Sequence, residues 1–232
     1  MDSPKTLLSE ISTPLAIVVA GALVAVAVYM SGVGTGAPTT PPAEKPLTAQ
    51  DVVPLQADDH VLGNRDAKIV IVEYTDLECP FCKRFHETMK QVVAEYDGQV
   101  AWVLRNFPLT QIHPNAPALA EAAECVASTA GNDAYWKFVD ALFSVAPLNT
   151  PFPMDKLEAT IASVAPLAPV ESCIAAGTHR ARIEAQIQDA IKARAQGTPH
   201  SILLVRGKEP VLISGAQPLE AVRAEIEKAL AR

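Results

Sequence analysis

The chain has 232 residues, is 49% hydrophobic and carries a formal net charge of −7. That length suits one domain with a tail, and that apolar content suffices for a buried core. The acidic balance, with lysines and arginines scattered among carboxylates, excludes a nucleic-acid-binding protein, which needs a basic face to neutralise phosphates.

In chain order, residues 1–12 read as a short N-terminal tail. No charged residue lies between Glu10 and Glu44, and Leu15 to Met30 is almost wholly Ala, Val, Leu, Ile and Gly. Across 13–33 the run approaches the ~20 apolar residues that span a bilayer as a helix. Two readings fit: a cleaved signal peptide or a retained signal anchor. A cleaved signal needs a basic n-region and a small-residue cleavage site. Here Lys5 is opposed by Asp2 and Glu10, and no A-x-A follows the apolar run. A transmembrane anchor is the expectation. Residues 34–57, with Pro38, Pro41, Pro42, Pro46 and Pro54, read as a flexible Pro-rich linker.

The folded domain is expected over 58–232. Ile69 to Tyr74 is apolar on both alternate faces, as in a central buried strand, except for Glu73. A helical stretch opens at Pro80 and ends near Asp97-Gly98, and Val100 to Leu104 reads as the next strand, closing a β-α-β unit. A helical insert is expected over about 113–193, with helices near 114–130, 133–145, 154–164 and 168–193, divided by Pro147, Pro151 and Pro153. Ser201 to Val205 and Val211 to Ser214 form a hairpin pattern, and Pro218 starts a closing helix to Leu230.

Cys79-Pro80-Phe81-Cys82 lies between a strand and a helix, the context of a thiol–disulfide redox site. A helix starting at Cys79 aims its free N–H groups and positive dipole end at that sulfur and favours the thiolate. Pro80 fits the first turn, where its missing N–H is no loss. Cys79 is therefore the candidate nucleophile and Cys82 the resolving thiol. A zinc site would need four ligands, and no second CxxC or finger-spaced His pair is present. Glu73, alone on an apolar strand, should have a raised pKa and serve as proton shuttle for Cys82; the alternative is a strand-end carboxylate reaching solvent. Cys125 and Cys173 form an even remaining pair, which suggests a second disulfide; the alternative is two buried thiols.

This order of elements, with Glu73, the CPxC segment, the long helical insert and Gly197-Thr198-Pro199 before a strand, resembles the DsbA family of extracytoplasmic thiol–disulfide oxidoreductases. The resemblance covers about three quarters of the chain. It implies an α/β thioredoxin fold with an inserted helical domain. It also implies a cis peptide at Pro199, with Thr198 and Pro199 meeting the substrate backbone. By position, His200 after Pro199 is a candidate for lining the substrate groove or a structural residue, and Phe81 beside Cys79 is a candidate for an exposed apolar docking surface. The implied activity is oxidation of reduced, unfolded secreted polypeptides, with reoxidation by a quinone-linked membrane partner of the DsbB or vitamin K epoxide reductase-like kind and no metal or organic cofactor. The family's best-studied oxidant has His where this chain has Phe81, a ring that supplies neither charge nor hydrogen bond. A disulfide reductase or isomerase is the alternative on the same site, and a tethered peptide-binding holdase the alternative from another class.

Overall fold

The computed structural model describes residues 47–148 and 150–231, together with Leu23, Val26 and Ala27. The expected membrane span over 13–33 therefore lies outside the described residues, apart from those three. Among the described residues no helix is long and apolar enough to cross a membrane.

Pro46–Arg232 forms one compact unit, and both of its hydrophobic clusters are built only from its own residues. Five strands make its sheet: β1 (His60–Gly63), β2 (Ile69–Thr75), β3 (Val100–Asn106), β4 (His200–Val205) and β5 (Val211–Ser214). Their spatial order is β1-β3-β2-β4-β5. Strands β2 and β3 are parallel, while β1 pairs with β3, β4 with β2, and β5 with β4, all antiparallel. The parallel pair requires a crossover, which α1 (Pro80–Glu95) supplies. The strands at the centre are apolar on both faces because both faces are covered.

Alternation along β2 sorts its side chains into two layers. Ile69 and Ile71 face a cluster with Cys82, Phe85 and Met89 of α1 and with α7 (Leu219–Leu230). Val72 and Tyr74 face the opposite cluster, with Ala190 of α6 (Arg180–Lys192). Glu73 shares the parity of Ile71, so it points to the cysteine side.

Between β3 and β4 lie α2 (Ala116–Ala130), α3 (Asn132–Val145), α4 (Leu157–Ala162), α5 (Leu167–Ala176) and α6. The single helix expected over 168–193 is two. Gly177 ends α5 in the left-handed region at φ 61°, and its N–H bonds the Ile174 carbonyl at 3.0 Å. The division matters because α6 packs on the sheet itself, so the expected insert over about 113–193 includes a layer of the sheet's own sandwich.

Two further expectations change. Strand β1 has no periodic signal; it is a four-residue edge strand with a half-exposed end. The Pro-rich linker expected over 34–57 does not run to 57. Ala49–Asp51 is a 3-10 turn, Val52 is buried, and Arg105 donates to the carbonyls of Val53 (2.8 Å) and Pro54 (2.9 Å). A buried guanidinium collects the carbonyls of this stretch. Arg105 also pairs with Asp59 and Asp189, both at 2.7 Å, so its buried charge is matched on two sides. A β-α-β half and a β-β-α half around one sheet, with helices interposed, is a thioredoxin-like α/β fold.

Candidate active site

The site forms where β2 ends and α1 begins. Cys79 is the N-cap of α1, with extended backbone (φ −75°, ψ 124°), and Pro80 occupies the first turn. Cys79 and Cys82 are free thiols; Cys79 is 4% exposed and Cys82 is sealed. In its thiol form Cys79 Sγ donates to the Thr198 carbonyl at 3.6 Å. The Thr198–Pro199 peptide is cis, and the Gly215 N–H bonds the Pro199 carbonyl at 3.1 Å. The dithiol and this loop, distant in sequence, thus meet at the C-terminal edge of β2.

The two sulfurs differ sharply in acidity. The Cys79 pKa is lowered from 9.0 to about 6, first by a hydrogen bond from the Cys82 thiol. The Thr198 side chain and the backbone N–H groups of Cys82 and Phe81 add to this against the opposing effect of burial. Thr198 Oγ1 is otherwise buried without a hydrogen-bond partner. Burial pushes the Cys82 thiol well above its usual value, and the charges of Cys79 and Glu73 push the same way. At neutral pH the pair holds one thiolate, on Cys79.

Glu73 is fully buried beside this pair, and Trp102 Nε1 donates to its Oε2 at 3.0 Å. Burial raises its pKa from 4.5 to about 8, and the Cys79 charge adds to the rise. The site thus pairs a carboxyl that is neutral near pH 7 with a thiol of raised pKa.

Two further carboxylates shape the loop that presents Cys79. Asp76 accepts from Glu78 N–H (2.8 Å), Leu109 N–H (2.7 Å) and His113 Nδ1 (2.9 Å). Glu78 accepts from Asn115 N–H (2.8 Å), Asn115 Nδ2 (3.0 Å) and Phe152 N–H (2.7 Å). The sequence reading passed over both. Their one signal was position: two acids flanking Leu77 immediately before the reactive cysteine, at a strand end that also reads as solvated.

The other candidates separate into near and far. Phe81 is 52% exposed, with the Arg84 guanidinium 4.7 Å from its ring centroid. Ile112 and Leu148 are also exposed, and with Pro80, His113 and Pro151 they line a cavity of about 250 Å³. His200 does not line a groove. It pairs in register with Tyr74, lies on the α6 side of the sheet, is buried, and its Nε2 meets the Ala193 carbonyl at 3.0 Å. The step from Pro199 into β4 turns its side chain away from the sulfurs, and burial lowers its pKa. Cys125 and Cys173 form a disulfide that joins α2 to α5.

An acidic thiol, a buried thiol of raised pKa, a buried acid and a cis-proline loop together mark a dithiol redox protein of the thioredoxin class. The thioredoxin family model matches residues 56–227, and the chain belongs to that family. Its structural neighbours are DsbA-family proteins. Pseudomonas aeruginosa DsbA2 superposes with a TM-score of 0.65 at 27% identity, over 75% of this chain and 94% of that one. Bacillus subtilis BdbD in its oxidised form gives 0.63 at 23% identity, over 75% and 94%. Among curated proteins, a Na(+)/H(+) antiporter NhaA 3 of Salinispora tropica is 39% identical over 94 residues, 40% of this chain and 14% of the antiporter. An NhaA 1 of Mycolicibacterium vanbaalenii is 37% identical over 100 residues, 43% of this chain and 16% of the antiporter. The chain thus spans about a seventh of the length of the curated relatives it matches.

Proposed function

We propose that this protein is a dithiol oxidase that introduces disulfides into reduced, unfolded polypeptides outside the cytoplasm. The observation that carries the reading is the acidity gap between Cys79 and Cys82, with Cys79 set against the Thr198 loop. A thiolate held well below its ordinary pKa stabilises the reduced enzyme, and a stabilised reduced form makes the disulfide a stronger oxidant.

In the oxidised enzyme a substrate thiolate attacks Cys79 Sγ. The Cys79–Cys82 bond breaks, the Cys82 sulfur leaves with the electron pair, and the Glu73 carboxyl supplies its proton. A second substrate thiolate then attacks the substrate sulfur of the mixed disulfide and releases Cys79 as the thiolate. Two substrate thiols are oxidised, the enzyme disulfide is reduced, and Glu73 recovers its proton from solvent. In this reading the exposed Phe81 ring and the backbone at Thr198–Pro199 hold an extended polypeptide; main-chain pairing of that kind is tolerant of sequence.

The Cys125–Cys173 disulfide supports an oxidising compartment. The charge-free run over 13–33 supports an anchor that keeps the enzyme at the membrane, near a quinone-linked reoxidase. The test is to mix the Cys79–Cys82 disulfide form with a reduced, unfolded dithiol polypeptide and quantify thiols on both. Stoichiometric transfer of the disulfide to the polypeptide is expected. Failure to oxidise it, with retained ability to reduce insulin-type disulfides, would assign a reductase instead.

A further inference from the structure

A second site lies at the sheet end opposite the cysteines. Strand β2 runs from Ile69 toward Cys79, and β4 runs antiparallel from Pro199 toward Arg206. The start of β2 and the end of β4 therefore share the far edge. A cavity of about 380 Å³ opens there. Its apolar wall includes Val52, Leu55, Val70, Leu204 and Val205. Its charged lining residues are Arg65, Lys68, Arg206 and Lys208, all of one sign.

That uniformity stands out in a chain of net charge −7. Arg65 donates to the carbonyls of Asp59 (3.2 Å) and Gln56, and Lys68 to the Leu230 carbonyl (3.2 Å). Those neutral acceptors fix the cations without cancelling their charge. Among the described residues no carboxylate stands within ion-pair distance of any of the four. Asp66 and Glu209 lie in the same loops, and neither lines the cavity.

An apolar wall under a cationic rim with no carboxylate partner among the described residues complements a molecule with an alkyl body and an anionic head. The wall gains from burying methylenes, and the rim gains from a counter-charge in a partly desolvated place. We infer that this cavity binds a single-chain amphipathic anion, its alkyl chain against Val70 and Leu204 and its head between Arg206 and Lys208. The site is separate from the dithiol and does not depend on the direction of the redox reaction.

The test titrates decanoate into Pro46–Arg232, which carries its own core. Amide shifts are followed by NMR, with decanol and inorganic phosphate as comparison probes. Saturable decanoate binding is expected, with shifts centred on Val70, Leu204 and Arg206. Decanol and phosphate should each bind at least tenfold more weakly. The charge reversal Arg206→Glu with Lys208→Glu should weaken decanoate at least tenfold while disulfide exchange at Cys79 is unchanged. Ala67→Leu, which narrows the cavity without touching its charge, should weaken decanoate as well. The inference is overturned if decanoate does not saturate or its shifts centre on Phe81, Ile112 and Leu148. It is equally overturned if decanol or phosphate binds as tightly.

Discussion

Trp102 Nε1 donates a hydrogen bond of 3.0 Å to Glu73 Oε2, and both residues are buried on the cysteine face of the sheet. One carboxyl oxygen is thereby occupied, and the Thr75 side chain also favours the charged form. The indole stabilises the charged carboxylate, so it restrains the rise that burial imposes. Trp102→Phe keeps the packing and removes the donor. The Glu73 titration, followed by carboxyl ¹³C NMR in the dithiol form, should then move above about 8. An unchanged or lower midpoint would separate Trp102 from the proton step.

Glu73 also links stability to pH. Its folded pKa of about 8 exceeds the ordinary 4.5. Between those values the folded chain keeps a proton that the unfolded chain has released. Stability therefore falls as pH rises through this window and levels off above it. By pH 7 the loss is roughly 3 kcal/mol, from ~1.4 kcal/mol per pKa unit. Glu73→Gln keeps an acceptor for Trp102 without the charge. In denaturant titrations the variant should be more stable than the parent at pH 7 and equal to it near pH 4, the difference between the two growing steadily across that window. Its disulfide exchange should slow by roughly 10²-fold, the usual loss with a general acid.

The Cys79 thiol behaves in the opposite sense. Its folded pKa of about 6 lies below the ordinary 9.0, so the dithiol form gains stability that is complete above pH 9 and lost as pH falls through 6. Alkylation by iodoacetamide should follow a single midpoint near pH 6 and label Cys79 alone. Cys82→Ala removes the hydrogen bond that contributes most to this acidity, so the midpoint should move up and mixed disulfides should accumulate.

The Cys125–Cys173 bond closes a 48-residue separation in sequence. The chain-entropy relation assigns such a loop about 4 kcal/mol. Replacing both cysteines by Ser should lower unfolding free energy by roughly 2–4 kcal/mol and leave the Cys79–Cys82 potential in place. A large shift in that potential would couple the helical region to the active site.

Much of this was legible in the sequence because its signals were local. Strands β2 and β3 are apolar on both faces, and the CPxC segment sits between a strand and a helix. Glu73 stood out as one acid in an apolar run. What escaped depended on tertiary partners. The chain at Val53 and Pro54 reads as linker until Arg105, buried on β3, gathers its carbonyls. Asp76 and Glu78 read as turn acids until they accept N–H groups from segments around Leu109, Asn115 and Phe152. His200 follows Pro199 in sequence, yet its register with Tyr74 places it on the far face. Strand parity there decides the side, and the sequence does not mark where a strand begins after a proline.

The reduction potential of Cys79–Cys82 tests the central claim most directly, measured against glutathione by thiol trapping in Pro46–Arg232 with Cys125 and Cys173 intact. The acidity gap between the two thiols predicts an oxidising couple, about −180 mV or higher. A value near −270 mV, where reducing dithiols of this class lie, would contradict the oxidase reading.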